Sequence, residues 1–369
     1  MQAYRFPPLA PRPGDKALEE ILRHIAVPKD VLAEAKARRN LVCDLAMRHP
    51  AARATWYSGS IAHGTHNSPL GDADCGVMVD RRSVEFRAYG PDADGIGLGP
   101  EMFIQSFAET VLPEVRGAGY PNAEVDLSGN RAIKFMFNAR VDFGELGEVD
   151  PYVDLIVGLD RRAAPGIWIP NRSKNGWDPA HPQMHTELMT ARDPQELVVH
   201  RAHLVRLGKR AVKRDGQEPR VPAMCSWNFS ALGLEHVSER EPLATALATM
   251  LADASTSIAA GLTEDPAGVA DPIALPDGMT NEQSAERLAQ MARVVNAAAE
   301  APSLAEARRI LSAMFGVEID EIRARHQSVT RSSPLNPALR SGDAAAVGAA
   351  LGVPELKKTT RSHGGPRCP

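Results

Sequence analysis

Aromatic residues are scarce in this chain: nine Phe, five Tyr and four Trp make up 5% of it. Its core must therefore be mainly aliphatic, and each ring marks its position. Cysteine is scarcer still. The four present (Cys43, Cys75, Cys225, Cys368) are widely spaced and form neither a zinc pattern nor a disulfide framework, so reduced thiols are expected. Charge of one sign is not in excess either. With 42 basic and 46 acidic residues the formal charge is −4, which argues against constitutive, non-specific nucleic-acid binding but leaves room for a local basic groove. No apolar run stands out at the 18-residue length of a membrane span, and Met1-Gln2-Ala3-Tyr4-Arg5 lacks an apolar signal core. The expectation is a cytoplasmic protein without a membrane segment. No internal repeat is evident.

What is present suits a globular protein. At 369 residues the chain can build one large or two medium domains. Residues 1–14 are proline-rich and read as irregular. Apolar residues at helical spacing follow over 18–24 and 31–47. A strand is expected at 53–58, a helix at 101–115, and strands near 123–127, 131–138 and 152–159. In 131–138 Ile133, Phe135 and Phe137 alternate with Ala132, Lys134 and Met136. These elements imply a mixed sheet with helices on one face. Helices are then expected at 193–214, 226–237, 241–261, 282–299 and 303–315, so the second half is nearly all α. The division is an irregular segment at 1–14, a first lobe at 15–190, a helical lobe at 191–326 and a mobile tail at 327–369, rich in Ser, Pro, Gly and Ala. The fold class is α+β.

The chemistry concentrates in one segment. Gly59-Ser60-Ile61-Ala62-His63-Gly64-Thr65 is a small-residue turn, followed by Asp72-Ala73-Asp74 and the apolar run Cys75–Val79. Gly59 and Ser60 offer backbone N–H groups and a hydroxyl to a phosphate chain, although Ser60 also suits a helix N-cap. If Asp72 and Asp74 open a strand, their i, i+2 spacing turns both carboxylates to one face. A third acid, Asp154, sits in the apolar run Tyr152–Leu159, where an ionised carboxylate is costly unless paired or on a metal. Two magnesium ions roughly 3.5–4 Å apart, sharing carboxylates, can promote attack on a phosphate ester. Asp72, Asp74 and Asp154 would supply that set, with manganese as a substitute metal.

Other residues compete. Asp126 and Asp150 are rivals for the third acid, though their Ser-Gly-Asn and proline neighbours suggest strand-edge or turn positions. A second Asp92-Ala93-Asp94 runs into glycine-rich loop composition and reads as a solvated turn. His63 and His66 could approach a transition metal, but three acids favour a hard cation. His200 and His203 are expected to pack locally, and Trp168 and Trp177 to brace the sheet edge. Ser226 suits a phosphate, and Trp227 suits either base stacking or the core.

Gly59-Ser60, Gly64-Thr65, Asp72-Ala73-Asp74 and Val153-Asp154-Leu155 resemble the G-S-x-x-x-G-T … D-x-D … D signature of polymerase-beta-like nucleotidyltransferases. Within that superfamily the chain is most similar to the bacterial CD-NTases, anti-phage synthases of cyclic di- and oligonucleotides. Trp168–Arg172, Trp177 and Asp178–Pro182 resemble the segment after the third acid. Leu204–Arg210 resembles the helix with a triphosphate-binding lysine, here Lys209. Cys225-Ser226-Trp227-Asn228-Phe229 resembles a helix start of the second lobe, although Glu235 lies later than the usual acid. The resemblance covers about residues 15–325. It implies a nucleotidyltransferase lobe followed by an α-helical lobe, nucleoside triphosphate substrates, a cyclic di- or trinucleotide product and room for a regulatory protein partner. Same-fold transfer to tRNA, protein or a small molecule is the alternative, as is an inactive nucleotide-binding sensor.

Overall fold

The computed structural model describes residues 12–82, 86–91, 97–144, 147–216 and 221–317. The second Asp-Ala-Asp copy, the tail expected at 327–369, Cys368 and most of the segment expected to be irregular at 1–14 lie outside these. Pro13 and Gly14 do not continue that irregular segment. They open a helix, α1 (Pro13–His24), whose first turn places Pro where its missing N–H costs nothing.

The first lobe is built on a mixed sheet. Its strands are β1 (Ala52–Tyr57), β2 (Asp72–Val79), β3 (Glu124–Asp126), β4 (Ala132–Met136) and β7 (Tyr152–Asp160), in the order β1-β2-β7-β4-β3. A short pair, β5 (Val141–Asp142) and β6 (Glu148–Val149), stands apart. The hairpin of β8 (Ile167–Asn171) and β9 (Gly176–Ala180) extends the end of β7. Strands β2 and β7 run parallel, and the other described pairs in this sheet are antiparallel.

Side-chain alternation divides the sheet's faces. Ala73, Cys75, Val77 and Val79 of β2, with Val153, Leu155, Val157 and Leu159 of β7, are fully buried. They pack with α2 (Lys29–Ala46) and α4 (Glu101–Gly117) in one core. The same alternation turns Asp72, Asp74 and Asp154 to the opposite face. There Trp56 lies flat over Gly76, where an added Cβ would come within 2.0 Å of the indole. This close approach lets one ring cover the apolar end of the face.

The second lobe is helical. It contains α6 (Gln195–Asp215), α7 (Ser226–His236), α8 (Leu243–Ala260), α9 (Asn281–Ala299) and α10 (Leu304–Phe315). Between the lobes lie α3 (Gly59–Ala62) at the glycine turn and α5 (Pro182–Thr190) before α6. Although α1 falls in the segment expected to join the first lobe, its buried residues Ala17, Leu18, Ile21 and Leu22 belong to the helical core. Asp15 of α1 accepts the N–H of Ala244 at 2.8 Å, tying it to the start of α8.

The expectation that no apolar stretch reaches membrane-span length needs correction. By length and composition alone, α8 could cross a membrane. In this fold it supplies Leu247, Leu251, Ala254 and Ile258 to the helical core, the use expected of a central helix.

Candidate active site

The parallel register of β2 and β7 brings the acids together. Asp72 is the pair of Tyr152, and Asp74 is the pair of Asp154. Paired residues share a face, so the three carboxylates border one patch of sheet. Burial, then the charges of Asp72 and Asp154, push Asp74 up to about 7. Asp154 is pushed up to about 6, chiefly by burial, with Lys134 opposing the rise. The Tyr152 hydroxyl is pushed up to about 12 by burial and by all three acids. Lys209 and Arg39 oppose the rise at Asp74, but burial and the neighbouring carboxylates outweigh them.

The two rival acids lie elsewhere. Asp150 meets the fully buried Arg38 at 2.5 Å. Asp126 shares the sheet face but is separated from Asp154 by Lys134 on β4, and its Oδ1 accepts the N–H of Ser128 in its own turn.

A divalent cation fits the donor set. Asp154 Oδ1 is buried without a hydrogen-bond partner, as a metal-facing oxygen would be. Among the described residues, however, no three His, Cys, Asp or Glu groups already converge as a preformed metal site.

The glycine turn closes over Asp74. Gly59 has φ +70°, and a Cβ there would lie 1.7 Å from Asp74 Oδ2. Only glycine allows the backbone to approach the carboxylate so closely. Ser60 falls inside α3; Ser58 holds the N-cap position and makes no side-chain cap. Ser60 is therefore not the N-cap, and the turn lies beside the acids through Gly59. The N–H of Thr65 returns to the Ser60 carbonyl at 2.9 Å and closes the turn.

From the second lobe, Lys209 of α6 donates to Thr65 Oγ1 at 3.0 Å. Burial pushes its ammonium down to about 8, against the pull of Asp72 and Asp74. This placement differs from a solvated helix face. One turn earlier on α6, Arg206 Nε donates to Asn67 Oδ1 at 3.2 Å, and Asn67 Nδ2 donates to the Arg206 carbonyl at 2.8 Å. These reciprocal bonds fix α6 against the glycine turn. Sequence reasoning quoted Thr65 within a motif but did not find its bond to Lys209 or the Asn67–Arg206 tie.

Ser226 opens α7 and is exposed. Trp227 lies beside two imidazoles, with ring centroids 5.7 Å from His63 and 4.5 Å from His185. His63 is pushed down to about 3 by burial and then by Lys209, so it stays neutral near pH 7. It follows the last residue of α3, and His66 lies beyond it, so the pair does not share a helical face. Glu235, near the far end of α7, accepts from Ser257 at 3.3 Å. His200 is buried, and Trp177 donates to the Leu98 carbonyl at 2.9 Å beneath the sheet edge.

No protein-family model matches this chain, and no curated protein sequence does. Solved structures do match. The CD-NTase CdnG of Bradyrhizobium diazoefficiens, in complex with GTP, aligns with a TM-score of 0.62 at 18% identity, over 86% of this chain and 99% of that one. The CdnC:HORMA-deltaN complex of E. coli MS115-1 gives 0.54 at 17% identity, over 82% and 96%. Vibrio cholerae DncV, a cyclic AMP-GMP synthase described as a prokaryotic cGAS homolog, gives 0.51 at 13% identity, over 84% and 88%. The chain shares the fold of these CD-NTase structures, here a mixed-sheet lobe joined to a helical lobe.

Proposed function

We propose that this chain is a template-independent nucleotidyltransferase that makes a cyclic di- or trinucleotide from nucleoside triphosphates. The observation that carries the reading is the acid patch: three carboxylates on one sheet face, one with an unpartnered buried oxygen, beside a glycine turn and a half-buried lysine. A scaffold has no need of such a set, because burying like charges costs stability. The CdnG, CdnC and DncV structures support the narrower assignment, since DncV of the same fold is a cyclic AMP-GMP synthase.

Asp72, Asp74 and Asp154 would hold magnesium, or manganese in its place, and bound divalent ions would supply charge neutralisation and a more acidic attacking hydroxyl. Gly59 and Ser60 orient the β- and γ-phosphates with backbone N–H groups and the hydroxyl. Lys209 reaches over the same phosphates and neutralises charge on the departing pyrophosphate. Ser226 adds a hydroxyl to the phosphate side, and Trp227 receives the base by stacking. A ribose 2′- or 3′-oxygen attacks the α-phosphorus in line. Its proton passes to solvent, the bond to the β-phosphate oxygen breaks, and pyrophosphate leaves. After one such transfer, or two for a trinucleotide, the free ribose hydroxyl of the linear product attacks the α-phosphorus of its own triphosphate, which closes the ring and releases another pyrophosphate.

We place the protein in the cytoplasm, in anti-phage signalling. The HORMA-bound CdnC supports a regulatory protein partner. Incubating the pure protein with four pooled nucleoside triphosphates and magnesium tests the reading, with products identified by mass spectrometry. A phosphatase-resistant cyclic product is expected. Labelling confined to added tRNA, protein or small molecule would assign a different acceptor. Nucleotide binding without turnover under all activators tried would assign a sensor.

A further inference from the structure

The glycine turn is not all that holds Trp227. On the side toward α5, His185 packs against the indole, and its Nε2 meets Asp265 Oδ1 at 2.6 Å. Asp265 belongs to the connection between α8 and α9, and its side chain is only 1% exposed. Its second oxygen accepts the N–H groups of Val269 and Ala270, both at 2.9 Å. Burial pushes the Asp265 carboxyl up, but these backbone donors and His185 together hold it below the usual carboxylate range. A buried, ionised acceptor at Nε2 fixes the imidazole proton there and sets the ring's orientation.

The contacts form a chain across the molecule. A loop of the helical lobe fixes Asp265, Asp265 orients His185, and His185 bears on Trp227. On the other flank His63 bears on the same indole from the end of the glycine turn. A partly buried indole would otherwise sample several rotamers, and fixing it in advance removes that cost from ligand binding.

We propose that Asp265 and His185 are positioning residues for nucleobase recognition, holding Trp227 in the orientation that receives the base. This rests on the reading of Trp227 as the base platform. It makes the substrate's two halves separable: Ser60, Thr65 and Lys209 serve the triphosphate, while Trp227, His185 and Asp265 serve the base.

Calorimetry on the full chain tests this, comparing ATP and GTP with inorganic tripolyphosphate as the base-free probe. His185→Ala should weaken nucleotide binding about fivefold or more, the lower end of one base–aromatic stack, and leave tripolyphosphate affinity within about twofold. In turnover, KM should rise more than kcat falls. His185→Gln should recover most of the loss, because its amide N–H can still donate to Asp265. Asp265→Ala should match His185→Ala; if it does not fold, the two His185 variants decide the matter. An equal loss for tripolyphosphate, or no loss in His185→Ala, overturns the proposal. Trp227→Ala is the control. If it binds nucleotide like the wild type, the base-platform reading fails and the proposal falls with it; if it is impaired while His185→Ala is not, only the proposal falls.

Discussion

Asp74 carries a cost in the metal-free protein. Its carboxyl, held near 7, stands well above an unfolded-state value near 3.8. A raised carboxyl favours the folded state while protonated and loses that advantage as pH rises between the two values. The metal-free protein should therefore lose stability from about pH 4 to about pH 7 through this group. Asp74→Asn removes the loss. Its stability gain should be near zero below pH 4, grow through the window and level off above pH 7 at an order of 2–4 kcal/mol. Asp154→Asn should behave likewise over a narrower window, ending near pH 6. Thermal melts without metal at several pH values check both. The same variants should release no pyrophosphate, and magnesium should raise the melting temperature of the wild type alone. Full activity in either variant would sink the acid assignment.

Lys209 makes a different prediction. Its ammonium bonds Thr65 between the lobes, and a bond to a charged group is worth about 1.5–3 kcal/mol. Lys209→Ala should therefore lower kcat/KM by about 10- to 150-fold, with KM raised and kcat reduced, since the contact strengthens as pyrophosphate leaves. Unchanged steady-state kinetics would remove Lys209 from the site.

At the level of elements, the site depends on how β7 enters the sheet. Arg38 of α2 is fully buried and bonds Glu34 at 2.8 Å, Asp150 at 2.5 Å and the carbonyls of Pro151 and Ala139 at 2.9 and 2.6 Å. Its guanidinium also lies 4.8 Å from the Phe137 ring. Asp150 and Pro151 immediately precede β7, so this knot sets the start of the strand that carries Asp154. Arg38→Met leaves Asp150 and Glu34 without their partner and should cost about 3–5 kcal/mol, the usual cost of breaking a buried pair. Urea denaturation measures it; a loss under 1 kcal/mol, a surface-pair value, would contradict the reading.

Elements were legible where local pattern decides them. The apolar run at 152–159 and the alternation of Ile133 and Phe135 identify β7 and β4, and the long helices of the second lobe agree within a few residues. Asp72 and Asp74 sharing a face follows from strand periodicity alone. The pairing of Asp74 with Asp154 does not, because parallel register between strands eighty residues apart is set by tertiary packing. The same separation hides His185 from Asp265. Helix α5 has only Pro182 and Met189 buried, which leaves no apolar period to detect.

At the scale of the whole molecule, two lobes meet at the glycine turn, with Lys209 and Asn67–Arg206 joining them. The proposed reaction requires room for a donor and an acceptor nucleotide beside the acids. The expected product has no terminal phosphate, and chromatography after phosphatase treatment should retain it from the wild type and show nothing from Asp74→Asn. Removal of the chain from Gln327 onward should leave synthesis intact in vitro, because that composition offers little apolar surface to bury. Loss of soluble protein on truncation would show that the segment contributes to the core.

The placement of α1 bears on how the protein is made. Ala17, Leu18 and Ile21 are synthesised well before partners such as Leu247, Val295 and Leu311. At about 5–20 residues per second, a ribosome needs about 15–60 s to go from one to the other. Until α6 and then α8 to α10 are made, the apolar stripe of α1 lacks its native partners, while the intervening sheet can already fold. The newborn chain should thus present a greasy amphipathic handle to chaperones until the helical lobe emerges. Expressing residues 26–317 without α1 should yield a protein whose first lobe folds and whose helical lobe aggregates.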